Sequence, residues 1–238
     1  MRLKPQLVSS LDSAWNTTTT PKTISVTVKT GDIIVVFGVI EGQASSSSDT
    51  LAVSGGSLSW STAVKVNVAS YAHVSEQHAT ATSDATFNVS IAHTGNTSLW
   101  FGANATVWRG SDGVGTPQKT NVASGAPSLA VTTGVDSSAI IAYNGDFVAV
   151  DGSSRTWRTI NSITPTSGNG LELSYFFNAS RYTVYGAYWD NVGVAGSKTT
   201  GLSAPSGQKY SIIAMEIKGS EPAKRTLVNQ AVKRASNF

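Results

Sequence analysis

The chain has 238 residues, 40% of them hydrophobic but only 13% charged, against roughly 25% charged in an ordinary soluble domain. It has no cysteine, which excludes disulfide scaffolds, zinc–thiolate sites and cysteine nucleophiles. The net charge of +3 lies in residues 221–238, where Lys224, Arg225, Lys233 and Arg234 face one acid, Glu221. The preceding 220 residues balance, with 13 of the 17 basic and 13 of the 14 acidic groups. A nucleic-acid-binding body needs clustered Lys and Arg, so nucleic acid is not an expected partner.

Residues 1–14 read as an N-terminal arm. Met1 to Pro5 opens no apolar run of the roughly 7–15 residues a secretory leader needs, and no stretch nears the ~18 apolar residues of a membrane span. Neither export nor membrane insertion is expected. Short apolar or alternating runs, bounded by Gly, Asp, Asn and Ser, then predict strands over 24–28, 32–40, 58–68, 71–78, 86–92 and 99–108. A Gly/Ser/Thr-rich connection over 110–127 follows. Further strands are predicted over 128–132, 138–144, 155–160, 171–178, 182–189, 198–203 and 210–217. No stretch before Glu221 has helical periodicity. Strands at this spacing without helices between them define an all-β protein, a sandwich or jelly roll.

The two halves repeat a pattern. ISVTV (24–28) followed by Asp32 and IIVVF (33–37) matches LAVTT (129–133) followed by Asp136 and AIIAY (139–143). Gly110 after Trp108 matches Gly219 after Ile217, an offset of 109. The expectation is a duplicated antiparallel β-sandwich with jelly-roll or immunoglobulin-like halves, 15–115 and 116–219. A basic anchor, helical or extended, follows over 220–238. In that anchor Ser220 and Pro222 suit a helix start, and Leu227, Val228, Ala231 and Val232 form one apolar stripe. A lone helix of this length is marginal in water, so these four and the flanking Lys224, Arg225, Lys233 and Arg234 read as a segment that docks on a partner.

Motifs for chemistry are missing. There is no G-x-S-x-G elbow and no H-E-x-x-H pair, and the expectation is a protein without catalytic residues, cofactor or metal. On one strand His73 and His78 point to opposite faces, so they do not jointly grip an ion. Asp146 and Asp151 stand before or beside turns; a calcium site or an acid–base pair is the sharper reading, turn formation the plainer one. Aromatics concentrate in the second half. Alternation puts Tyr182 and Tyr188 on one face of their strand, and Tyr185 and Trp189 on the other. One set should fill a core; the other is a candidate contact for a glycan or a partner protein. Trp15, Trp60, Trp100 and Trp108 are assigned to cores.

Several stretches resemble structural proteins of tailed actinobacteriophages, commonly called minor tail proteins. They are LVSSLDSAWNTTT (7–19), GVG (113–115), KTNVASGAP (119–127), NGD (144–146), VDG (150–152), SRTWR (154–158), and GLSAPSGQKY (201–210) with EIKG (216–219). The resemblance spans most of residues 5–220 and carries no catalytic residue. It implies a virion structural protein, expected to be made in the host cytoplasm and exposed on the particle. Attachment to other virion proteins through its basic ends (Arg2 and Lys4; 221–238) rests on the residues alone, since 221–238 is the segment the resemblance covers least. The protein is expected to be a homo-oligomer within the particle. A capsid decoration protein is the first alternative, and a carbohydrate-binding module that meets host cell-surface glycans is the second.

Overall fold

The structure is a computed structural model that describes residues 2–44 and 48–222. The first half forms β1 (Gln6–Asp12), β2 (Lys22–Val28), β3 (Ile33–Ile40), β4 (Thr50–Ser54), β5 (Val64–Val66), β6 (His73–Thr80), β7 (Ala85–Thr94) and β8 (Phe101–Arg109). A short β9 (Ser111–Val114) follows. The second half forms β10 (Gln118–Gly125), β11 (Ser128–Thr133), β12 (Ala139–Asp146), β13 (Thr156–Trp157), β14 (Glu172–Asn178), β15 (Tyr182–Trp189), β16 (Gly196–Ala204) and β17 (Gln208–Gly219). No helix occurs among the described residues, and all pairings are antiparallel.

Each half is a sandwich of a large and a three-stranded sheet, the large one five-stranded in the first half and six-stranded in the second, where β9 also pairs with β17. The orders are β1-β8-β3-β6-β5 with β2-β7-β4, and β10-β17-β12-β15-β14 with β11-β16-β13. This is the order of a jelly roll, in which a long hairpin is rolled so that first pairs with last. One strand departs from it: the fifth of each half pairs with the sixth rather than the fourth. That both halves carry the same departure is strong evidence of a duplicated unit. The ladders also align the halves numerically. Ile33 pairs with Trp108 and Ala139 with Ile217, so the closing strands stand 217 − 108 = 109 residues apart, the offset read from the sequence.

The two large sheets pack on each other, and the small sheets cover the outside, giving four layers and three cores. Odd-numbered residues of β3 (Ile33, Val35, Phe37, Val39) enter the central core with Ala139, Ile141 and Tyr143 of β12. Even-numbered Ile34, Val36 and Ile40 enter the first outer core, and Ile140 and Ala142 enter the other. Strands buried on both faces must be apolar at every position, which explains the unbroken runs 33–37 and 139–143. The outer strands instead alternate: Ile24, Val26 and Val28 are buried, while Thr23, Ser25 and Thr27 face water. Ser and Thr on those outer faces account for much of the low charge.

The halves are related by a pseudo-two-fold axis. Phe37 stacks on its counterpart Tyr143 with centroids 4.9 Å apart and planes at 19°. On one flank β1 faces β14, where Ser174 Oγ donates to Asp12 at 2.7 Å. On the other β10 faces β5, where Lys119 Nζ donates to the Lys65 carbonyl at 2.8 Å. Exchanging first and fifth strands between copies in this way is what a self-complementary dimer interface does. Reversed strand order with preserved strand direction sets the axis along the strands. The close approach leaves no room at Gly145, where a Cβ would lie 2.6 Å from Val39 Cγ1 and 2.8 Å from Ala72 Cβ of the first half.

Several sequence expectations change here. Residues 6–12 are not a free arm but a strand paired with β8. The boundary falls near Gly110 rather than at 115, because β9 joins β17 of the second half. The supposed connection contains β10, and the predicted strands over 58–68 and 155–160 shrink to three and two residues. Trp15 and Trp108 are core residues, whereas Trp60 and Trp100 are only half-buried.

Candidate functional site

The axis along the strands gives the molecule two different ends. At one end the chain enters and leaves. Leu3 and Ser220 form an antiparallel bridge, with N–H to O distances of 2.8 and 2.9 Å in the two directions. Arg2 clamps this exit: its guanidinium bonds Asp112 at 2.9 Å, Glu221 at 2.8 Å and the Gly219 carbonyl at 2.7 Å. Lys4 bridges to Asp190 of the second half at 2.5 Å. Beneath lies Glu216, 2% exposed, which accepts from the N–H groups of Gly134 and Val135 and from Ser138 Oγ. Those bonds fix residues 134–138 against Gly219, where an added Cβ would meet the carbonyls of Leu3, Asp136 and Ser137 within 3.0 Å. Leu3 and Val194, 56% and 72% exposed, are the two most exposed large apolar side chains among the described residues. Both flank this exit, since Ala195 N–H bonds Asp136. The residues expected to dock, Lys224, Arg225, Leu227, Val228, Ala231, Val232, Lys233 and Arg234, lie outside the described residues.

The opposite end joins loops of both halves. Arg181 bridges to the buried Glu41 at 2.6 Å and lies over the Trp100 ring at 4.9 Å. Lys209 Nζ sits 4.9 Å from the Tyr71 ring and 5.5 Å from that of Phe147. Below them, Asp49, His73 and His93 are buried together. Asp49 Oδ1 accepts from His93 Nε2 at 3.2 Å and from the Asn96 N–H at 2.7 Å, and its Oδ2 is 3.8 Å from His73 Nδ1. Asn67 Nδ2 donates to the Asp49 carbonyl. Sequence spacing placed His73 and His78 apart, correctly, but missed that His93 meets His73 across one carboxylate. Among the described residues no group of three or more His, Asp or Glu is arranged to hold a metal ion.

The aromatic candidates require correction. Tyr182, Tyr185 and Trp189 are 0% exposed. Both faces of β15 are covered, one by the first half and one by the outer sheet, so alternation sends Tyr182 to the central core and Tyr185 and Trp189 to an outer one. Their polar atoms are satisfied inside: Tyr182 Oη donates to the Trp15 carbonyl, Tyr185 Oη to Val150 and Trp189 Nε1 to Arg158. None offers a ring face to a glycan. Tyr188 alone is half-buried, edge-on to Trp108 at 5.4 Å.

Asp146 ends β12 and Asp151 lies in the loop that follows it. Asp146 is fully buried and accepts from the N–H groups of Val148, Val150 and Lys209. Burial pushes its carboxyl up to about 6 against the pull of those donors. Asp151 accepts from the Ser153 N–H at 2.8 Å and from Tyr175 Oη at 3.1 Å, and the Ser153 N–H holds its carboxyl below the ordinary value. Each serves its own loop.

The fold is that of a tandem jelly-roll sandwich protein in which residues 2–3 and 219–221 meet at one end. Comparison with models of known protein families, with curated proteins and with solved structures finds no match.

Proposed function

We propose that this chain is a bacteriophage virion structural protein, a minor tail protein exposed on the particle surface and attached through its ends. The observation that carries this reading is the bridge between Leu3 and Ser220. It brings residues 3 and 220 to one pole, and the sequence that follows Pro222, residues 223–238, carries four basic and no acidic side chains. Attachment there leaves the rest of the stack facing outward. The sequence resemblance supports a tail location. A capsid decoration protein uses the same geometry, and imaging separates the two. The glycan-binding reading loses the buried Tyr182, Tyr185 and Trp189 that motivated it.

The test uses particles of the phage that encodes the chain. Full-length protein should be found in gradient-purified particles by mass spectrometry, and immunogold should label tails. A chain ending at Pro222 should stay soluble and strand-rich but be missing from particles. Absence of the full-length protein from particles refutes the proposal. Label confined to heads moves the assignment to capsid decoration, and normal incorporation of the truncated chain refutes attachment through 223–238.

A further inference from the structure

We propose that Asp49, His73 and His93 form an acid-sensitive latch that holds together the loops at the end of the molecule opposite the chain exit. The three side chains come from three places: the residue before β4, the first residue of β6 and the end of β7. Their neighbours tie in the adjoining turns. Asn96 N–H bonds Asp49, Asn67 Nδ2 bonds its carbonyl, and the Ser70 N–H bonds the Gln43 carbonyl. Opening this cluster therefore releases the segments around 43, 67–71 and 96 together.

One carboxylate serves two imidazoles. The His93 ring takes the Asp49 bond, and a single Asp⁻ balances at most one imidazolium. His73 makes no hydrogen bond to Asp49, whose Oδ2 lies 3.8 Å from its Nδ1, has only the Val68 carbonyl beside its ring, and is 3% exposed. The cavity beside Asp49, Asn67 and His73 measures about 10 Å³, room for about one water at most. A His73 cation has to share Asp49, 3.8 Å away, with His93 and has no space for a hydration shell, so protonation of both rings weakens the cluster.

The surrounding charges do not rescue it. Lys65 of β5 lines the same cavity. Lys22 of β2 lies over the Phe101 ring, which packs on His93. Glu41, beyond the end of β3, is engaged by Arg181, and the Tyr71 ring lies under Lys209. Burial lowers the His73 pKa; Asp49 and the Val68 carbonyl pull it up, and His93 pushes it down again. The sign follows: the closed cluster is intact above the ordinary histidine value of about 6.5 and weakens as pH falls below it.

The test is hydrogen exchange of the full chain at pH 7.5 and pH 5.0, corrected for intrinsic rates. Amides at 41–44, 67–73 and 94–98 should lose protection by up to about 30-fold, the proton-linkage limit for a group of pKa 6.5 taken to pH 5. Amides of β3 and β12 should not change. H73Q, neutral at both pH values, should show equal protection at both. Unchanged protection in the wild type, or a wild-type response in H73Q, overturns the proposal. Imidazole ¹⁵N shifts of the wild type give a readout that does not depend on the variant folding. The His73 ring must gain its proton over the pH range in which the loops open, and loops that open while the ring stays neutral also overturn it.

Discussion

Replacing Phe37 by Ala tests whether the two halves are one folding unit. Phe37 is 0% exposed and stacks on Tyr143 across the pseudo-two-fold axis. The substitution removes a ring from the central core, where the neighbours are β-sheet backbones that cannot collapse into the gap. Phe→Ala at such a site costs about 3–5 kcal/mol. For a chain of this size each kcal/mol lowers the melting temperature by about 2–4 °C, so the fall should be about 6–20 °C. Because Phe37 and Tyr143 line one core, the loss should be felt equally by both halves. Each half carries its own reporters: Trp15, Trp60, Trp100 and Trp108 in the first, Trp157 and Trp189 in the second. Chemical denaturation, followed in variants that keep tryptophans in one half only, should give coincident transitions before and after Phe37→Ala. Two separate transitions in the parent, or a shift confined to the first half, would refute a shared core.

At the chain exit, Glu216→Ala removes the acceptor of the Gly134 and Val135 N–H groups, while the Ser138 hydroxyl keeps the Val135 carbonyl at 2.9 Å. Gly134 is exposed and Val135 half-buried, so both N–H groups can turn to water, and urea denaturation should show a loss of about 1–3 kcal/mol. Lys22 is a buried cation at the start of β2, and burial lowers its pKa to about 8. Its unfolded value is about 10.4, so the unfolded chain binds more protons between pH 8 and 10.4 and the parent gains stability as pH rises through that window. Lys22→Met should therefore raise the denaturation midpoint at pH 7, and its advantage should shrink toward pH 10. An advantage independent of pH would show that charge burial is not the cause.

Much of this architecture is written locally. Period-two alternation over 24–28 and unbroken apolar runs over 33–37 and 139–143 specify strands whatever surrounds them, and the matching order of these runs exposes the duplication. Turn chemistry at Asp146 and Asp151 is local too, since each carboxylate bonds N–H groups of its own loop. β1, β4, β9 and β10 are not legible because short edge strands rich in Ser, Thr, Gly and Asn lack a strong periodic signal; only pairing with β8, β7 and β17 makes them strands.

The site was far less legible. Alternation correctly separated Tyr182 from Tyr185 and Trp189, because successive side chains point to opposite faces in any strand. Whether a face meets water is not a property of the strand. It depends on which sheets stack above and below, and here both faces of β15 are covered. Asp49, His73 and His93 carry no motif, since their meeting is fixed by the ladders that bring the starts of β4 and β6 to the end of β7. Local pattern alone specifies the strands of the sheet centres, their facing residues and the twofold repeat. The packing of the sheets adds that the two units share a core, that residues 3 and 220 pair at one pole, and that one carboxylate is enclosed with two histidines. Local backbone and side-chain preferences act over a few residues, whereas burial and charge pairing depend on segments brought together from across the chain.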